Sequence, residues 1–132
     1  MLGVVFDFQA AKEIITADPR PVGLCELANV AHLVRRPQLE WSSGRYPIRR
    51  YYPGVGIDWQ ELDANPGRFD LGLPLILVTT PRRWLTNFPI HDWYRVAWAV
   101  ENREEALPAV CLTPEETVSI MNVPKGCRVD RL

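Results

Sequence analysis

Lysine, histidine and cysteine are scarce in this sequence, and each scarcity removes a class of chemistry. Of 132 residues only Lys12 and Lys125 are lysines. Neither falls between residues 70 and 117, where the clearest motifs lie, so no lysine is at hand there to clamp a phosphate. The two histidines, His32 and His91, have no acid at metal-ligand spacing, which argues against a zinc site. The three cysteines, Cys25, Cys111 and Cys127, are odd in number and far apart, with neither zinc nor redox spacing. Free thiols imply a reducing, cytoplasmic setting. Cys25 and Cys111 stand in apolar runs, so both are expected as buried structural thiols. No apolar run reaches the length of a membrane span. Met1 to Phe6 is apolar but meets Asp7 directly and has no basic region, unlike a signal peptide. An excess of one sign of charge is missing too. A formal net charge of −1 gives no global field toward nucleic acid or membrane. There is no Gly-x-Ser-x-Gly, no Walker loop and no dinucleotide fingerprint.

What is present is enough for a core: 47% hydrophobic and 23% charged residues are those of a globular chain. We read residues 1–132 as a single domain with its motif-bearing part at 70–117. Residues 7–18 predict a helix capped by Asp7, with Phe8, Ala11, Ile14 and Ile15 on one stripe and Pro19 and Pro21 beyond its end. Residues 22–27 predict a strand and 28–34 a short helix. An irregular excursion at 35–57 is rich in arginine and aromatics, with a short strand at 46–52, and 58–65 predict another short helix. The run Leu73-Pro74-Leu75-Ile76-Leu77-Val78 has the length and continuity of a strand covered on both faces. A second short apolar stretch, 88–90, precedes Asp92, expected to cap a helix in which Trp93, Val96, Ala97 and Val100 share a face. Residues 107–112 predict a strand beside 73–78. Thr113-Pro114-Glu115-Glu116 is a strong helix start, and 123–132 form a tail. This order predicts an α/β fold, an α+β mixed sheet with packed helices.

Four pieces carry a resemblance: Leu73–Val78, then Ile90-His91-Asp92-Trp93-Tyr94-Arg95, then Leu107-Pro108-Ala109-Val110, then Thr113–Glu116. In order and spacing they resemble the small stand-alone ParB-like domains of the ParB/sulfiredoxin-like superfamily. There, a strand ending in Asp-Gly-Trp-His-Arg feeds a helix whose N-terminus faces a nucleotide phosphate, supported by the arginine. Trp93 and Arg95 match that motif. His91 stands where the family has aspartate, Asp92 where it has glycine and Tyr94 where it has histidine. The cysteine that sulfiredoxin chemistry needs is absent from the turn.

The resemblance implies a binding module that holds nucleic acid, a nucleotide or a protein partner through the 90–95 turn and an arginine/aromatic surface. The catalytic alternative is a nuclease- or NTPase-type enzyme, with Arg95 as phosphate clamp and His91 or Asp92 as base or metal ligand; its cofactor would be a nucleotide with Mg²⁺. Trp93, Tyr94, Arg82 and Arg83 are the candidate ligand contacts. Arg45, Arg49, Arg50, Tyr51 and Tyr52 form the candidate nucleic-acid or partner surface, since arginines interleaved with aromatics pair phosphates and stack on bases. No membrane partner is expected.

Overall fold

The computed structural model describes residues 4–35, 39–42, 46–49, 56–64 and 67–122, and of 39–42 and 46–49 the backbone alone. Asp7 caps α1 (Phe8–Ala17) through its side chain, which accepts from the Ala10 N–H at 3.0 Å. Strand β2 (Gly23–Glu26) follows. Residues 28–34 do not form the expected α-helix. Two successive 3-10 turns, Leu27–Asn29 and Ala31–Leu33, take their place. Strands β3 (Leu39–Ser42) and β4 (Tyr46–Arg49) make a separate antiparallel hairpin. Helix α2 (Trp59–Ala64) starts at Asp58, whose Oδ1 accepts from the Gln60 and Glu61 amides.

The main sheet is mixed, in the order β2-β7-β5-β6. Strand β5 (Leu75–Val78) runs parallel to β7 (Ala106–Cys111), and helix α3 (Trp93–Glu101) makes the crossover between them. Strand β6 (Phe88–Pro89) is one edge and β2 the other, both antiparallel to their neighbours. The adjacency expected for the runs at 73–78 and 107–112 is therefore present. Every residue of β5 is buried. Leu75 and Leu77 point to one face, where Val96, Ala97 and Ala99 of α3 meet Leu107 and Ala109. Ile76 and Val78 point to the other, where Ala11 of α1 and Ile120 meet Val110 and Leu112. Helices on both faces explain why this strand reads as an unbroken apolar run instead of an alternating one.

Pro108 sits in β7, a central strand, where a missing N–H is usually not tolerated. The pairing shows why it fits. The Leu27 N–H donates to the Glu105 carbonyl at 3.0 Å, so the opposed pairs Cys25↔Leu107 and Gly23↔Ala109 are the hydrogen-bonded ones and Leu24↔Pro108 is not. The proline nitrogen faces the β5 side, where pairing begins only at Ala109.

Helix α4 (Pro114–Ser119) carries the predicted start in full. Thr113 accepts from the Glu116 amide, Glu116 accepts from the Thr113 amide, and Pro114 stands first in the helix. Glu116 also ion-pairs with Arg20, which binds the Cys111 carbonyl as well. That guanidinium, hydrogen-bonded to the carboxylate, holds Glu116 down at about 2. Beyond α4, β8 (Met121–Asn122) pairs with β1 (Val5–Phe6), closing the two ends of the described chain on each other. Cys25 is buried, as expected. Cys111, at the end of β7, is exposed, so the expectation of a buried thiol fails there. Among the described residues no helix is long and apolar enough to cross a membrane. Thr113→Ala removes one half of the capping box and is expected to lower unfolding free energy by about 1 kcal/mol, read from the midpoint of urea denaturation.

Candidate functional site

The 90–95 turn is where the resemblance looks for a ligand, and its polar groups are largely turned inward. Arg95 is 2% exposed. Its Nη1 donates to the carbonyls of Asp70 at 2.7 Å and Leu73 at 2.5 Å. Its Nε lies 3.0 Å from Asp92 Oδ2, within ion-pair range although not aligned as a hydrogen bond. The guanidinium thus ties the turn ahead of β5 to the start of α3, and no face of it is open to a phosphate.

Asp92 corrects the expectation of a side-chain cap. It is in the left-handed region at φ 61°, ψ 39°, and its carboxylate makes no cap hydrogen bond. It turns back onto Arg95 instead, because a buried cation without a counter-charge would cost several kcal/mol. The first amides of α3 are consequently left without a side-chain cap. Trp93 is half-buried and tilted against Phe88, with centroids 5.2 Å apart. Tyr94 accepts the Asp58 amide on its hydroxyl at 3.0 Å, and the Arg68 guanidinium lies over its ring.

His91 Nε2 accepts the backbone N–H of Ile76 in β5 at 3.0 Å, and the ring stacks on Phe8 of α1 at 4.3 Å. Accepting on Nε2 puts the ring hydrogen on Nδ1. Burial pushes the imidazole pKa down. Asp92 opposes this in part, and the positive charges of Arg95 and Lys12 reinforce it. One edge of His91 lines an apolar groove of about 390 Å³ between α1 and the sheet, with Lys12 and Arg20 at its rim.

A larger cleft, of about 670 Å³, opens elsewhere. Its walls are β2, the two 3-10 turns and the segment from Trp84 to Phe88. Glu26, Asn29, His32, Thr86 and Asn87 are its polar lining, and among the described residues no lysine or arginine lines it. Leu24 and Trp84 on its rim are 71% and 50% exposed, a large apolar display for this chain. Trp84 is carried by a loop that is pinned at its neck. Buried Thr80 donates its amide to the Leu85 carbonyl at 2.9 Å and accepts the Leu85 amide on Oγ1 at 3.0 Å. Thr79 Oγ1 accepts the Asn87 amide at 3.0 Å. Arg83 and Asn87 bracket the loop at φ 57° and 48°. Such conformations cost about 1–3 kcal/mol for residues other than glycine and persist where the surroundings impose them.

Of the residues singled out by sequence, the structure brings His91, Asp92 and Arg95 together, with Asp92 on Arg95 and with His91 and Arg95 bonded to backbone groups at 70–76. Arg82 and Arg83 are exposed in the pinned loop but do not line the cleft. Arg45, Arg50, Tyr51 and Tyr52 lie outside the described residues, and Arg49 is known only by its backbone place in β4. Sequence reasoning passed over Glu26, Asn29 and Asn87, and gave His32 no role. The one signal pointing their way was the tryptophan beside Arg82-Arg83. Among the described residues no cluster of three or more His, Cys, Asp or Glu could hold a metal. Compared with protein-family models, curated proteins and solved structures, the chain finds no match.

Two predictions follow from the turn. Replacing Arg95 with methionine leaves two carbonyls and Asp92 without their partner and is expected to cost about 3 kcal/mol or more in urea denaturation. For His91, the folded protein holds the pKa below the ordinary 6.5, so it binds fewer protons than the unfolded chain just below that value. The contribution of the neutral ring is complete above 6.5 and is lost as pH falls through it. Thermal midpoints should decline between about pH 7 and about pH 5, and His91→Gln should flatten that decline. An unchanged slope in the variant would place the titration on another group.

Proposed function

We propose that this chain is a binding module on a ParB-like scaffold, not an enzyme, and that it holds a small polar ligand in the cleft beside the pinned 79–87 loop. The observation that carries this reading is the cleft itself: a concave site of ligand size, with an exposed tryptophan on a loop fixed in place. A rigid loop binds without the entropic cost of ordering. The scaffold reading is supported by the order β5-β6-α3-β7-α4, which follows the four pieces of the resemblance. It is supported further by the left-handed backbone at Asp92, since glycine, the family's residue there, is the one that adopts it freely. A catalytic role finds little support. His91 Nε2 is occupied by a backbone amide and Asp92 is paired with Arg95, so neither stands ready as a base.

One observation favours a second reading, a nucleotide at α3. Because Asp92 turns away, the first α3 amides lack a side-chain cap and remain suited to an anion. Thermal shift separates the two. A ligand at 100 times its Kd adds about 2.7 kcal/mol of stability. Uncharged polar ligands should shift the protein, and Trp84→Ala should abolish the shift. A shift produced only by ATP, CTP or GTP with Mg²⁺, and retained in Trp84→Ala, would move the site to α3. Turnover of a nucleotide, lost in Asp92→Asn, would overturn the non-catalytic reading.

A further inference from the structure

The charge and the aromatic content of the 670 Å³ cleft narrow the class of ligand. This step rests on the cleft being the binding site. The acid Glu26 lines the cleft and, among the described residues, no lysine or arginine does, so within that lining a phosphate or carboxylate would meet a like charge without compensation. The other polar side chains in the described lining include the amides of Asn29 and Asn87, the imidazole of His32 and the hydroxyl of Thr86, which donates to the Arg83 carbonyl. The side chains of Glu26, Asn29 and His32 and the indole N–H of Trp84 take part in no hydrogen bond among the described residues, so their donors and acceptors are available to a ligand. Amides offer both donors and acceptors, and a carboxylate accepts. That set matches a ligand whose surface carries many neutral hydroxyls.

The apolar side of the cleft has a matching form. Trp84 offers a broad flat surface, half exposed, with Leu24 also on the rim. Of the two aromatics in its lining, Phe88 is packed on Trp93, and Trp84 is the one left half exposed. A planar base stacks on a single aromatic face as well, so the platform alone does not separate it from a sugar and the polar lining must. A pyranose ring has one face of C–H groups, which packs against a single aromatic surface, and a perimeter of hydroxyls, which suits amides and a carboxylate. The loop geometry adds to this. The Thr80 and Thr79 bonds hold residues 79–87 in a closed shape, and the left-handed Arg83 and Asn87 set the direction of the intervening tryptophan. The loop is shaped before any ligand arrives.

We propose that the cleft between β2 and the 79–87 loop is a site for a neutral saccharide, with Trp84 as the stacking platform and Asn29, Asn87 and Glu26 as the hydroxyl partners. Asn87 is the residue to probe beside Trp84. Its φ is positive, so Asn87→Gly removes the amide while keeping a backbone conformation that glycine adopts freely.

The test is saturation-transfer NMR and calorimetry on the whole chain, with cellotetraose, maltotetraose and chitotetraose as saccharide probes and adenosine and guanosine as uncharged base-containing probes. At least one tetrasaccharide should bind, with saturation strongest at its ring C–H protons. Trp84→Ala and Asn87→Gly should each weaken it by at least tenfold, while circular dichroism shows both variants folded. Affinity should be insensitive to salt, because a neutral saccharide carries no charge for a cation to pair. Binding that survives both variants would overturn the proposal. Nucleosides that bind in a Trp84-dependent way, without any saccharide, would overturn the sugar class and leave the cleft as the site. No binding by either set would overturn the class and count against the cleft itself.

Discussion

The guanidinium of Arg95 is a full positive charge held at 2% exposure, and a cation in that position must be answered on every side. Two carbonyls, those of Asp70 and Leu73, answer Nη1, and the Asp92 carboxylate lies against Nε. Much of the local architecture follows. The carbonyls belong to the segment entering β5, so the arginine sets where that strand begins relative to α3. The carboxylate can reach Nε because Asp92 has a left-handed backbone, at the cost of strain and of the ordinary helix cap. His91, one residue earlier, is then positioned to accept the Ile76 amide and stack on Phe8, which joins the turn to α1 across the sheet. A set of residues with the composition of a catalytic cluster is consumed in joining a strand to helices on both of its faces.

That consumption bears on where a ligand can go. In sheets with parallel strands, binding sites gather beyond the carboxyl ends of the strands, where loops are free to vary. Here β5 and β7 are the parallel pair, and the 79–87 segment leaves the carboxyl end of β5. It is the loop with the pinned neck and the exposed tryptophan. The turn that enters α3 comes after the antiparallel β6 and works as part of the frame. The polar lining, without cations among the described residues, and the loop at the strand end are independent features of the same cleft.

The fold was legible in the sequence wherever local pattern and tertiary role agree. The run at 73–78 announced a doubly covered strand, and Thr113-Pro114-Glu115-Glu116 announced a capped helix, because each signal is complete within a few residues. The β1–β8 pairing was not legible: two residues at either end of the described chain carry no pattern, and only the closed fold brings them together. Residues 28–34 failed for a different reason. Their composition allows a helix, but two short 3-10 turns pack Leu27, Val30 and Val34 into the core instead. At the turn, the sequence showed the residues but gave Asp92 a cap it does not make. Whether Asp92 caps an amide or neutralises Arg95 is decided by the burial of the arginine, which a linear reading does not contain.

The cleft was the least legible feature, and the reason is physical. Its polar residues come from β2, the 3-10 turns and the loop before β6, brought together only by the order β2-β7-β5-β6 and the packing around it. No spacing rule links Glu26 to Asn87. The trace it left was one tryptophan in a polar loop, a signal equally suited to a core anchor. The structure separates those meanings by where the stabilising bonds fall. Thr79 and Thr80 bond the backbone of Leu85 and Asn87, so the loop keeps its shape without burying Trp84. A tryptophan that held the loop together would be inside it. One left half exposed by a loop already secured contributes little to folding, and its large apolar surface favours contact with a ligand over contact with water.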